Sequence, residues 1–182
     1  MNFPRPTRAQ YLQGIAAMVA VVLASNYLVQ FPINDWLTWG AFTYPVAYLV
    51  SDLVNRRFGP GMARRVAWVG FAVAVGVSLL LAPVRIAAAS GLAFIASQLL
   101  DIGIFDRLRR GLWWRAPLVA TVIAAVLDSI VFWGIAFAGT EGPWLTWALG
   151  DLAVKLAVGV LMLLPFRLLI GRQAARTSAA MG

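Results

Sequence analysis

The sequence predicts an all-α integral membrane protein built as a compact bundle of six transmembrane helices. Three observations carry that reading: apolar content, the spacing of helix breakers and the placement of arginines. Hydrophobic residues make up 62% of the 182-residue chain and charged residues 12%, against roughly 25% charged in soluble domains. That excess has to face lipid. A bilayer-spanning helix needs about 20 mostly apolar residues, so the length holds six spans with short loops as one domain, residues 1–182.

Apolar windows place the spans at about 9–31, 39–55, 63–82, 84–105, 117–138 and 144–166. Helix punctuation supports the cuts. Pro32 follows the first span, Gly59-Pro60-Gly61 separates the second from the third, and Pro83 the third from the fourth. Pro117 opens the fifth, and the stretch from Gly139 to Pro143 ends it. The second span is the shortest and carries Pro45, so a kinked or partly re-entrant segment is expected there. The first apolar run is longer than a signal peptide's and lacks a small-residue cleavage site; it reads as a retained span, with the mature protein starting at or near Met1.

Arginine placement sets the orientation. The N-terminus carries Arg5 and Arg8; the second-to-third connection Arg56, Arg57, Arg64 and Arg65; the fourth-to-fifth Arg107, Arg109, Arg110 and Arg115; the C-terminus Arg167, Arg172 and Arg176. Thirteen of the 15 basic residues thus fall on one face, while the other shows only Arg85, with Asp35 and Glu141. By the positive-inside rule both termini are cytoplasmic. Juxtamembrane arginines account for the net charge of +8, so nucleic acid is not an expected partner and the lipid bilayer is. Trp36, Trp39, Trp144 and Trp147 at outer span ends, and Trp113 and Trp114 at an inner end, fit an aromatic belt, with Trp39 the one closest to a site.

An ionisable side chain at the bilayer centre costs about 2.5–3.5 kcal/mol on insertion scales, so each one needs a partner or a task. Asp128 sits near the middle of the fifth span. Asp151 and Lys155 lie one turn apart on the sixth. Gln98 and Asp101 share a face of the fourth, Asn26 lies in the first, and Tyr44, Tyr48 and Asp52 form a stripe on the second. Asp151 and Lys155 can neutralise each other, Asn26 and Gln98 can act as interhelical glue, and Asp52 and Asp101 can reach cytoplasmic arginines. Even so, four carboxylates face one lysine, which implies a neutralised carboxylate, a bound cation or a polar ligand. Ala16, Ala20 and Ala24, at four-residue spacing, predict close helix packing of the first span or, as the sharper reading, a docking face for another membrane subunit.

The chain has no cysteine and no histidine, which excludes disulfides, thiolate or imidazole metal sites and His-based triads. No cofactor or metal is expected, and the chain reads as a non-enzyme.

Several runs resemble the queuosine precursor transporter family. They are Ser25-Asn26-Tyr27-Leu28-Val29-Gln30-Phe31-Pro32, Leu37-Thr38-Trp39-Gly40-Ala41-Phe42-Thr43, Asp52-Leu53, Phe58-Gly59 and Ala63-Arg64-Arg65. Further matches are Gln98-Leu99-Leu100-Asp101-Ile102, Phe105-Asp106-Arg107-Leu108-Arg109, Trp113-Trp114, Ala116-Pro117, Asp128 with Ile135-Ala136-Phe137, and Asp151 with Lys155 and Leu164-Pro165. The resemblance covers five spans and two cytoplasmic loops. It implies uptake of 7-cyano-7-deazaguanine, and of the 7-aminomethyl base, across the bacterial inner membrane for synthesis of the tRNA base queuosine. It also implies a fold similar to the six-helix substrate-binding subunits of energy-coupling-factor transporters. One departure is Ala124-Ala125, where the family carries Gly-Asn.

A deazaguanine offers paired N–H donors that a carboxylate accepts, a carbonyl that an amide or ammonium can donate to, and a flat face for stacking. Asp128 or Asp101 would read the donors, Gln98 or Lys155 the carbonyl, and Phe42, Phe94 or Trp133 the ring. The candidate substrate-binding set is therefore Asn26, Trp39, Phe42, Tyr48, Asp52, Phe94, Gln98, Asp101, Asp128, Trp133, Asp151 and Lys155. A solo transporter is favoured, with a homo-oligomer left open. The alternative is a substrate-binding subunit of an ATP-driven module, which would bring its own ATPase because this chain has no P-loop. An intramembrane aspartyl protease is remote: Ala148 stands where Gly-x-Gly-Asp needs glycine, and there is no Pro-Ala-Leu.

Overall fold

The computed structural model describes residues 3–28, 31–34, 37–81, 83–141 and 144–179, without the side chains of Asn26, Pro32, Leu37, Thr38, Leu81 and residues 172–179. Asp35 and Trp36 lie outside the described residues. The first helix, α1 (Arg8–Leu28), opens on a reciprocal cap: the Thr7 N–H donates to Gln10 Oε1 at 3.0 Å and the Gln10 N–H to Thr7 Oγ1 at 3.3 Å. A short antiparallel hairpin follows, β1 (Pro32–Asn34) against β2 (Leu37–Thr38), where the sequence predicts no strand.

The expected second span is broken. A single turn, α2 (Gly40–Thr43), leads through Tyr44 and Pro45 into α3 (Val46–Phe58). Proline has no N–H to give to the preceding turn, so the ladder restarts there, with the Ala47 N–H donating to Tyr44 O at 3.0 Å. Thirteen residues of α3 rise only about 20 Å, short of the roughly 30 Å hydrocarbon core.

Four long helices complete the chain's apolar mass: α4 (Pro60–Leu81), α5 (Val84–Leu108), α6 (Arg115–Phe137) and α7 (Trp144–Leu161). The last, α8 (Leu163–Ala179), continues α7 past an interruption at Met162. Pro165 explains the break, because it cannot donate to Leu161 O; bonds resume from Phe166 N–H to Met162 O at 3.1 Å. The sixth span therefore does not stop at Phe166 as expected, and helix runs on to Ala179.

Among the described residues, five helical stretches are long and apolar enough to cross a membrane: Arg8–Ser25, Pro60–Leu80, Val84–Leu108, Arg115–Phe137 and Trp144–Gly171. Leu80, Ile130, Leu149 and Leu164 stand outward on them, as lipid-facing side chains do. Inside, α5 packs along α6 and α4, α1 lies on α4 and α3, and α7 lies on α6. One core gathers Met18, Val22, Ala47, Val66, Phe94 and Ile102 between α1, α3, α4 and α5. Gly70 permits that approach, since a Cβ there would sit 2.6 Å from Met18 Cγ. Phe105, Ala116, Ala120 and Phe166 form a second core at the arginine-rich end.

One expectation is corrected. Ala16, Ala20 and Ala24 do not mediate packing within the chain; all three are exposed on α1 while Met18 and Val22 face inward. Arg85, the lone basic residue of the other face, has a local role. Its Nε donates to Ile135 O at 2.7 Å and its Nη2 to Ala138 O at 2.6 Å, closing the carbonyls left open at the end of α6.

Candidate functional site

Two polar clusters lie inside the bundle, and they differ in how far their hydrogen-bonding capacity is used. The first joins α5, α6 and α7 to the turn before α3. Lys155 Nζ lies 2.8 Å from Asp128 Oδ2 and 2.5 Å from Asp151 Oδ2. Lys155 was expected beside Asp151 at one-turn spacing; the fold brings Asp128 to it as well. Four further donors reach the two carboxylates. Tyr44 Oη donates to Asp128 Oδ1 at 3.1 Å and Ser97 Oγ at 3.3 Å, while Ser129 Oγ and Trp133 Nε1 each donate to Asp151 Oδ2 at 3.2 Å. The Tyr44 ring stands 5.4 Å from Lys155 Nζ. This triad keeps one formal negative charge, spread over hydroxyl and indole donors.

The second cluster lies between α3 and α5, toward the arginine-rich end. Ser51 Oγ donates to Gln98 Oε1, and Asn55 Nδ2 donates to Ile102 O at 3.0 Å. Between these two rungs the carboxyl groups of Asp52 and Asp101 face each other. All of Ser51, Asp52, Asn55, Gln98 and Asp101 are at most 2% exposed. Yet both oxygens of Asp101, Asp52 Oδ1, Gln98 Nε2 and Asn55 Oδ1 have no hydrogen-bond partner. No cation pairs with either carboxyl among the described residues, so the arginines within sequence reach are spent elsewhere. Tyr48, fully buried one turn before Ser51 and Asp52, directs its hydroxyl near Ser97 without a well-formed bond.

Arg109 shows where the arginines go. Its Nη1 pairs with Asp106 at 2.8 Å, and its Nη2 donates to the last carbonyls of α3, Asn55 O at 2.5 Å and Arg56 O at 3.2 Å. Arg56 answers by donating to Arg109 O at 2.7 Å. Burial pulls the Arg109 guanidinium below its usual pKa, against the opposite pull of Asp106.

Of the candidate residues, Asp128, Trp133, Asp151 and Lys155 thus meet in one cluster, and Asp52, Gln98 and Asp101 in the other. Phe94 is buried between them, edge-on to Tyr44 at 6.1 Å, and borders a narrow cavity with Ser25, Ala47 and Ser90; Ser25 Oγ is buried there without a partner. Trp39 and Phe42 stand apart, 6.2 Å from each other and both exposed. The Asn26 side chain lies outside the described residues. Residue-by-residue reasoning missed Ser51, Asn55, Ser97 and Ser129. Ser51 and Asn55 continue the helical stripe of Tyr48 and Asp52, which is the signal that could have found them.

Ionisable groups so placed inside apolar helices mark a polytopic membrane protein that handles a polar small molecule, the build of a transporter. Comparison with known proteins narrows the class. The profile of a family described as "Putative vitamin uptake transporter" matches residues 38–84 and 77–170. The "Queuosine precursor transporter" of Escherichia coli (strain K12) is 34% identical over 80% of this chain and 79% of its own length. A "Probable queuosine precursor transporter" of Haemophilus influenzae is 32% identical over 81% and 80%, and one of Bacillus subtilis 26% identical over 69% and 68%. The chain belongs to the queuosine precursor transporter family, a family of multi-pass membrane transporters. No solved structure matches it.

Proposed function

We propose that the protein takes up 7-cyano-7-deazaguanine, with the 7-aminomethyl base as a second ligand, across the bacterial inner membrane. One observation carries the reading: a buried carboxyl with no cation beside it among the described residues, Asp101, faces the carboxyl of Asp52 and sits one turn from an amide whose Nε2 has no partner, Gln98. A deazaguanine edge presents two N–H donors beside one carbonyl. Asp101 accepts the donors and Gln98 donates to the carbonyl, so each orphaned group gains its missing partner. Leaving such groups unpaired costs about 1–3 kcal/mol each, which ligand binding recovers. Asp52 adds the second carboxyl that suits a cationic aminomethyl group, and Phe94 and Tyr48 are the rings nearest to hand.

On this reading the triad of Asp128, Asp151 and Lys155 holds helices in place, because its donors and acceptors already serve one another. Trp39, Phe42 and Asn26 belong to the approach from the opposite end. The broken unit α2–α3 supplies the sixth crossing, in the manner of the energy-coupling-factor subunits that the family resembles. Both termini then lie in the cytoplasm with the arginines.

A solo transporter is the first reading. The exposed stripe Ala16, Ala20 and Ala24 favours a second one, in which α1 docks on a separate ATP-driven module. Cells unable to make the base test the function: labelled 7-cyano-7-deazaguanine should accumulate only when this gene is expressed. An ATPase that co-purifies stably would decide for the second mode.

A further inference from the structure

The α3–α5 cleft is closed on its arginine-rich side by a stack of contacts that binding does not explain. Directly below Asp52 and Asp101, Asn55 Nδ2 ties α3 to Ile102 O. One layer further, Arg109, only 7% exposed, donates to Asn55 O and Arg56 O while Arg56 donates back to Arg109 O. The N-terminal segment then covers this lock. The Phe3 ring lies 4.5 Å from the Arg109 guanidinium carbon. Its edge also fills the space a Cβ on Gly59 would need, with Phe3 Cδ2 only 2.4 Å from that position. Gly59 has φ +83, so glycine serves both the left-handed turn ending α3 and the seat of the ring.

These contacts share one geometry. The hydrogen bonds tie the C-terminal end of α3 to the C-terminal half of α5 and its cap, and Phe3 of the N-terminal segment packs on both. Val54 and Leu53 also pack these helix ends into the two cores, so the guanidinium and the ring are the part of the seam nearest the cytoplasmic edge and the first that can be released. We propose that Arg109 and Phe3 form the inner gate of the transport path, and that the ring of Phe3 must leave Arg109 before the cleft opens to the cytoplasm. Phe3 and Arg109 are positioning residues here; neither touches the base. The proposal rests on the cleft and the orientation given under the proposed function.

The chain's lack of cysteine allows a test that needs no substrate. A single reporter, Ser51→Cys, sits in the cleft above the carboxyl pair, and inverted membrane vesicles present the cytoplasmic face to a membrane-impermeant maleimide. Labelling should be slow with the gate intact. Phe3→Ala should speed it roughly three- to thirty-fold, the loss expected for one desolvated cation–π contact. Phe3→Tyr, which keeps the ring, should label as slowly as the parent and shows that the effect is not a general loosening. Labelling in right-side-out vesicles should not change. No acceleration, or equal acceleration from both faces, overturns the gate. Acceleration confined to right-side-out vesicles supports the gate and contradicts the orientation. Absence of deazaguanine uptake would refute the substrate assignment and leave the labelling result standing.

Discussion

The triad around Lys155, on α6 and α7, and the polar cluster around Asp101, between α3 and α5, both lie inside the bundle and both draw on α5, yet one is closed and the other open in chemical terms. Lys155 satisfies two carboxylates at once, and Tyr44, Ser97, Ser129 and Trp133 supply further donors. Asp101 has no cation among the described residues and faces only another carboxyl, that of Asp52. Burial of polar groups is tolerated when they pair and costly when they do not. The first cluster therefore reads as a fastening and the second as a site waiting for a partner. Perturbed polarity alone does not locate a binding site; unspent hydrogen-bonding capacity does.

The sharpest way to break the comparison is to remove the fastening. Lys155→Met leaves Asp128 and Asp151 buried without a counter-charge and should lower stability by about 3–5 kcal/mol, read as a fall in melting temperature in detergent. Adding Asp151→Asn should restore only part of it, since Asp128 also depends on Lys155; Asp128→Asn must be added for full recovery. Full recovery in the Lys155→Met, Asp151→Asn double variant would mean that Asp128 is not held by Lys155.

A smaller loss is expected from Tyr44→Phe, which removes one neutral donor from Asp128 and leaves Ser97 and Lys155 in place. About 1–2 kcal/mol should go, measured by the same thermal unfolding. Smaller still is the stability effect of Gln98→Leu. Although Gln98 is fully buried, its Nε2 has nothing to lose, and the lost bond from Ser51 is offset by removing that orphan, so unfolding should shift by under about 1 kcal/mol. Transport of the base should nonetheless fail. A large destabilisation from Gln98→Leu would place it among the fastenings and erase the contrast.

Much of this was legible from residues one turn apart. Asp151 with Lys155, Gln98 with Asp101, and Tyr48 with Asp52 share helix faces because the chain rises 3.6 residues per turn, and each pair does meet its cluster. Pro45 announced the break between α2 and α3 for a covalent reason. What depends on which helices face each other was not legible. Nothing local tells Lys155 to reach Asp128 on α6, or tells Ser129 to turn its hydroxyl toward Asp151 on α7. The alanines of α1 carry the same ambiguity: spacing reveals a flat, small face, but only the fold reveals that it points outward. Arg109 and Phe3 were hidden for a different reason, since an arginine read as one cytoplasmic charge among thirteen gives no hint that it is buried on helix-terminal carbonyls.

The central claim is that the base is read by the unsatisfied cleft and not by the triad, and binding to purified Asp101→Asn tests it most directly. Asparagine keeps the shape but turns one acceptor into a donor facing a ligand donor. Binding of 7-cyano-7-deazaguanine should weaken by at least about tenfold, since one lost or opposed hydrogen bond is worth about 1–3 kcal/mol. The melting temperature of the ligand-free protein should stay level or rise, because one of two facing buried carboxyls has been replaced by a neutral amide. Undiminished binding by a well-folded Asp101→Asn protein would contradict the account.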